Sequence, residues 1–286
     1  MDNLNNLVNI TDGPIEDRVI EKPLFNNHNS SRKLTKLSDP VVTYNDGMHW
    51  KAIDLKVMSM YPVIHDTYFE DNKPLSIYVC PFSLFGCTYF DTFVPIDKEY
   101  NSNLVLVKKD DRTKMLIPIL GKVFNLEGQG PKEEQGPVDD DIYVNKRETI
   151  TVTDTFIRKG EVKVMTLRNA ISLYPDILFL DTQIMNIKKV SELGMENLVN
   201  NPITTTTNKY QPYQIIYIIE YHSKKQGGLK YTIIIPKINT FDIVKNKFWL
   251  YFNKMIDKIR DKGGHIYMCY WFAFNKSYSG FKIIDI

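Results

Sequence analysis

The chain has 286 residues, of which 43% are hydrophobic, 12% aromatic and 24% charged, with a formal net charge of +2. That length and apolar share can bury a sizeable core in one large domain or two modest ones. The small net charge argues against a nucleic-acid partner, and three cysteines are too few for a disulfide scaffold.

Residues 1–37 are polar, with the run Asn26-Asn27-His28-Asn29-Ser30-Ser31 and few clustered apolar side chains. Such a segment buries too little surface to offset its ordering entropy, so a disordered arm or partner tether is expected. No basic and apolar leader opens the chain, and no apolar run reaches the roughly 18 residues of a membrane span. The expectation is therefore a soluble, cytoplasmic protein without membrane contact. Heavy use of Ile, Lys and Asn points to an AT-rich genome, as in large DNA viruses of protists or low-GC cells. A viral source would allow a place in the virion.

Residues 38–192 read as a β-rich domain. Ala52 to Met58 alternates apolar and polar residues at the period of a half-buried strand. Leu75 to Cys80 and Cys87 to Phe93 are rich in β-branched and aromatic residues. Leu104 to Val107 and Lys114 to Ile119 flank a polar turn, with Pro118 expected at a strand end because it cannot donate to a ladder. Asn125 to Asp141 reads as a solvated acidic loop, since it lacks the ligand spacing of a calcium loop. Ile150 to Phe156 and Val162 to Met165 read as strands, and Leu167 to Tyr174 as a helix that stops before Pro175.

Residues 193–212, with Asn200-Asn201-Pro202 and four consecutive threonines, read as a linker. Residues 213–286 then form an expected antiparallel ββαββ domain: strands at Tyr213–Tyr221, Leu229–Ile235, His265–Phe274 and Phe281–Ile286. Between them, Phe241 to Lys262 carries an apolar face at helical period. Trp249 and Ile256 lie beside that stripe and widen it, which marks them as candidate interaction residues for a protein partner or a second copy. The expected class is α+β, mostly β.

The candidate chemistry is sparse. Cys80 and Cys87 stand with six residues between them, in neither a zinc nor a thioredoxin spacing, and free cysteines in apolar strands are usually buried and inert. His65-Asp66 beside Glu70-Asp71 is the best acid–base cluster, and His65 or His49 could meet Cys80 as a Cys–His pair. The aromatic side chains of the last 74 or so residues invite a base-stacking reading, but no ribonucleoprotein-type motif accompanies them.

Between Asp39 and about Leu180 the chain resembles a bacterial and archaeal family, domain of unknown function three-one-seven-nine. The resemblance rests on Tyr61-Pro62, Val79-Cys80-Pro81-Phe82-Ser83, Asn101-Ser102-Asn103-Leu104, Asp111-Arg112 and Tyr174-Pro175-Asp176, in that order. It departs where the family has a Gly-Val-Ser-Gly and this chain has Val94-Pro95-Ile96-Asp97, and where a Trp and a Gln give way to Met115 to Ile119. The resemblance implies that any activity would centre on Cys80, His65, Asp66 and Asn101, in a copy that has lost much of the family's polar set.

The sequence reading is a non-catalytic structural or interaction protein, with no metal and no cofactor. A thiol- or metal-dependent activity around Cys80 and His65 is the alternative, so enzymatic function stays open. Single-stranded nucleic-acid binding by the C-terminal sheet is the third reading.

Overall fold

The computed structural model describes residues 7–9, 15–27, 36–125, 152–155, 162–182, 210–211, 213–222, 229–236, 254–255, 257–258, 264–278 and 281–285. These residues build a mostly β, α+β protein of three sheets and a few short helices.

The largest sheet has eight strands. Its core is the hairpin β6 (Val63–Tyr68) and β7 (Lys73–Val79), with β8 (Gly86–Tyr89) antiparallel beyond β7. On its other side β8 meets β18 (His265–Tyr270) through the pair Met268↔Gly86. The sheet continues through β16 (Ile215–His222) and β17 (Leu229–Ile235) to β19 (Lys282–Asp285) at one edge. At the other edge β2 (Val19–Glu21) runs parallel to β6.

This sheet is the middle layer of three, because neighbouring residues along its strands enter two different cores. Val63, Tyr78, Ile216, Ile218 and Cys269 face the six-stranded sheet, packing with Val94, Leu104, Leu106 and Leu116. Ile64, Ile77, Tyr217, Ile219 and Met268 face the five-stranded sheet, packing with Val42, Ile53, Val164 and Phe179. A sheet covered on both faces needs apolar side chains at successive positions, which explains runs such as Ile215-Ile216-Tyr217-Ile218-Ile219.

The six-stranded sheet runs β1 (Leu7–Asn9), β9 (Phe93–Tyr100), β10 (Asn103–Lys108), β11 (Lys114–Ile117), β12 (Lys122–Asn125) and β13 (Val152–Thr155), all antiparallel. The five-stranded sheet runs β14 (Lys163–Thr166), β4 (Pro40–Asn45), β5 (Trp50–Asp54), β15 (Leu178–Leu180) and β3 (Phe25–Asn27).

The helices are short and capped by their sequence. Asp54 ends β5 and its carboxylate accepts from the Lys56 amide at 2.8 Å, starting α1 (Leu55–Met60). The Ala52–Met58 strand expectation is corrected here: the alternation holds only to Asp54, and Val57 and Met58 enter the core from a helix. Thr166 caps α2 (Leu167–Leu173), which ends at Tyr174 ahead of Pro175 as the sequence reading expects. Likewise Cys87–Phe93 is broken by a turn between β8 and β9.

The C-terminal segment departs further from expectation. β18 stops at Tyr270, and Trp271–Ser277 forms helix α3 where a strand was expected to continue. Aromatic side chains suit either element, and here Trp271, Phe272 and Phe274 are all buried by the helix. β19 pairs parallel to β17, so the ββαββ unit is not wholly antiparallel. Nor does a break between sheets follow residues 193–212, since β18 joins β8 directly. Most of the expected linker, the 126–141 part of the acidic loop and most of the Phe241–Lys262 helix, Trp249 and Ile256 included, lie outside the described residues.

The N-terminal 37 residues also differ from a disordered arm wherever they are described. Leu7–Asn9 adds an edge strand to the six-stranded sheet, Val19–Glu21 to the eight-stranded one and Phe25–Asn27 to the five-stranded one. Ile15 and Ile20 are buried in different cores. A few well-placed apolar residues suffice when the partner strands are already in place.

Candidate functional site

His65 and Asp66 sit in β6, next to the edge strand β2 of the middle sheet, and each is engaged internally. Asp66 Oδ2 accepts from the Tyr44 hydroxyl at 2.7 Å and from Lys51 Nζ at 2.6 Å, while Oδ1 accepts from the Thr67 amide at 2.8 Å. Lys51 Nζ also lies 2.8 Å from Asp46 Oδ2, and 4.7 Å from the centre of the Phe25 ring. Asp46 Oδ1 in turn accepts from the amides of Met48 and His49. Burial pushes the Asp46 carboxyl pKa up, but these amides and Lys51 outweigh it and leave it below its ordinary value. Burial, and then the neighbouring carboxylate of Asp66, hold the Tyr44 hydroxyl far above the usual tyrosine range. The arrangement is a buried ammonium between two carboxylates, with its hydrogen-bonding capacity turned inward.

His65 is buried, and its Nε2 lies 2.7 Å from the Phe93 carbonyl oxygen. A carbonyl only accepts, so this nitrogen carries a proton. Nδ1 lies 3.0 Å from Glu21 Oε1, close enough for an ion pair though not aligned as a hydrogen bond. The same Glu21 oxygen accepts from Lys109 Nζ at 2.8 Å. Burial raises the Glu21 pKa, and the adjacent Lys109 and His65 more than reverse that. Glu21, His65, Asp66 and Thr67 line an open cleft of about 560 Å³, walled by Pro23, Leu24 and Pro74.

Cys80 is fully buried and belongs to a different place. Its Sγ lies 3.6 Å from the Ser102 carbonyl oxygen, to which the thiol donates, and accepts from the Leu104 amide at 3.3 Å. Ser83 Oγ donates to Asn103 Oδ1 at 2.5 Å, and Asn103 Nδ2 donates to the Asn101 carbonyl at 3.0 Å. The Cys-Pro and Asn-Ser-Asn-Leu segments thus lock together, and Asn101 and Ser102 take positive φ angles of 49° and 62° to make the turn. Asn101 takes part through its backbone carbonyl, at the rim of a structural joint.

The structure brings Cys80 to Asn101 and separates both from His65. His65 pairs with Ser76 across the β6–β7 ladder, and Cys80 lies four residues further on, roughly 13 Å along an extended chain. Cys87 and Cys269 are buried in the same core as Cys80, and burial pushes the Cys269 thiol pKa strongly upward. Among the described residues no group of three or more His, Cys, Asp or Glu side chains could hold a metal ion. The aromatic set that invites a base-stacking reading is divided: Tyr217, Tyr267, Trp271 and Phe272 are buried, Tyr231 and Tyr270 are half-buried, and Tyr221 is exposed.

Sequence reasoning missed Glu21, Lys51, Asp46 and Tyr44. Tyr44 and Lys51 face each other in the β4–β5 register, but a lysine next to Trp50 reads as the polar side of a strand. Glu21 lay in the segment read as disordered.

Fold and site together define a three-layered, β-rich α+β protein with a polar cleft at one edge of its middle sheet. No family model, no curated protein and no solved structure matches the chain. No helix among the described residues is long and apolar enough to cross a membrane.

Proposed function

We propose that the chain is a non-catalytic structural or interaction protein acting through the turn end of the β6–β7 hairpin. The observation that carries this reading is the contrast between engaged polar groups and displayed apolar ones. Cys80, His65 and Asp66 each hold internal partners, while Met48 and Phe69 are 56% and 62% exposed on two adjoining turns. Those turns are fixed: the Phe69 amide donates to the Asp46 carbonyl at 2.7 Å, and Asp46 caps the Met48 turn. Apolar side chains held rigidly in solvent suit a protein contact, because little ordering entropy remains to be lost on binding.

A thiol- or metal-dependent activity would require Cys80 to meet a base, whereas its thiol donates to the Ser102 carbonyl and accepts from the Leu104 amide. The burial of Tyr217 and Tyr267 weighs against a base-stacking sheet. The test is the reactivity of Cys80 towards a disulfide reagent in the folded protein, compared with the unfolded chain. The proposal expects strong protection in the folded state. Rapid modification of native Cys80 would overturn it in favour of thiol chemistry.

A further inference from the structure

We infer that Lys51 and Asp66 condense to an amide, a self-made cross-link between β5 and β6, with Asp46 as the proton carrier. The inference goes beyond the interaction-protein reading and does not depend on it. The ion pair described above is the reactant.

Condensation of an amine with a carboxyl group needs contact, a carrier for protons and exclusion of bulk water. Lys51 Nζ lies 2.6 Å from Asp66 Oδ2, which puts the carboxyl carbon within about 4 Å of the nitrogen. Asp46 Oδ2, 2.8 Å from the same nitrogen, is placed to take a proton from it. The Tyr44 hydroxyl donates to Asp66 Oδ2 at 2.7 Å and can hold the charge that builds on that oxygen during attack. Tyr44 is fully buried, and the Lys51 and Asp66 side chains are only 10% and 11% exposed. The Phe25 ring, 4.7 Å from the lysine nitrogen, covers the group further.

Two carboxylates face the amine, and their hydrogen bonds assign the roles. Asp46 Oδ1 accepts from the Met48 and His49 amides, which with Lys51 keep that group ionised. An ionised carboxylate is a poor electrophile and a serviceable base. Asp66, polarised by the Tyr44 hydroxyl on the oxygen that Lys51 meets, is the group to be attacked.

The balance is that of a dehydration. The Lys51 ammonium gives one proton to Asp66, leaving a neutral amine and a carboxylic acid. The nitrogen lone pair then bonds to Asp66 Cγ, and Asp46 carries a second proton from the nitrogen to the departing hydroxyl. The C–O bond breaks, and one water leaves by the open cleft that Asp66 lines. The third proton stays on the amide nitrogen. Condensation also removes two buried charges, whose desolvation an ion pair recovers only in part. The new bond ties the five-stranded sheet to the middle one, beside the turns that carry Met48 and Phe69.

The experiment is intact-mass spectrometry of the full chain, folded and incubated at neutral pH, followed by tryptic mapping. The wild-type mass is expected to fall below that of the sequence by one water. The Lys51 and Asp66 peptides should be recovered as one branched species, uncut after Lys51. Lys51→Arg and Asp46→Asn, each checked for its fold by circular dichroism, should keep the full mass. Asp66→Asn should lose one ammonia instead and give the same branched product. Wild-type protein that stays at full mass overturns the inference. So does a water loss that persists in Lys51→Arg, or that reverts in mild alkali, the mark of a succinimide at Asp46-Gly47. A cross-link formed as fast in Asp46→Asn overturns the role of Asp46. The wild-type branched peptide decides the matter even where a variant misfolds, and no outcome touches the Cys80 test.

Discussion

Lys51 and Asp66 meet at 2.6 Å across two sheets, since Lys51 belongs to β5 of the five-stranded sheet and Asp66 to β6 of the middle one. Both side chains are about nine-tenths buried, and Lys51 serves Asp46 as well. Lys51→Met should therefore leave two buried carboxylates without their cation, at a cost of about 3–5 kcal/mol. Urea denaturation measures it; a loss below about 1 kcal/mol would mean that water reaches the site and the pair is in effect a surface one.

Acid should weaken the same joint. The Asp46 pKa is lowered in the folded protein from its ordinary 3.8, so its contribution is complete above that value and disappears as pH falls through the lowered one. Asp46→Asn removes that titration. The stability gap between wild type and Asp46→Asn should be constant near neutrality and shrink below pH about 4. A gap that stays constant into acid would show that Asp46 does not titrate with folding.

Gly47 has φ +97°, and a Cβ there would lie 2.9 Å from the Tyr68 ring. Gly47→Ala should cost about 1–2 kcal/mol for the left-handed conformation alone, and displace the Met48 turn from the ring. Thermal unfolding reads the first effect. An unchanged melting temperature would mean that the turn has an alternative conformation of equal energy.

Cys80→Ala removes the acceptor of the buried Leu104 amide. An orphaned buried donor costs about 1–3 kcal/mol, beyond the loss of packing around the sulfur. Cys80→Ser supplies an oxygen acceptor at the same place and should recover part of that loss. If serine is worse than alanine, the thiol acts as an apolar filler and its hydrogen bonds contribute little.

Glu21 ties β2 to His65 and Lys109. Because Glu21 is half exposed, Glu21→Gln should change global stability by less than about 1 kcal/mol. Local opening is a more sensitive readout: hydrogen exchange at Val19–Glu21 should accelerate while the β6–β7 ladder keeps its protection. Unchanged exchange in β2 would show that its backbone pairing and Ile20 hold it without the charges.

What could be read in the sequence was local. Leu229–Ile235 and Leu104–Val107 announce themselves by β-branched density, Pro118 marks a strand end, and Pro175 stops α2. What could not be read depends on partners distant in the chain. Nothing near Gly86 says that Met268 pairs with it, yet that contact joins what composition divides into two domains. Cys80 and the Asn101–Leu104 turn were singled out by residue type, and their meeting is a fact of β7–β10 packing. Periodicity also fails for the middle sheet, where burial on both faces erases the alternation that marks a strand.

The order of synthesis runs against the order in which the N-terminal strands can dock. Leu7 waits for Tyr100, Glu21 for His65 and Phe25 for Leu180, so the first residues made are among the last to find their places. Until then the three sheets carry raw edges, each open to a neighbouring chain. Docking of β1, β2 and β3 is in this sense a latch thrown late, after long loops have closed. A nascent chain stalled before residue 178 lacks β15, which leaves β3 without its partner and β5 with an open edge, and intermolecular pairing at that β5 edge is where its misassembly would begin.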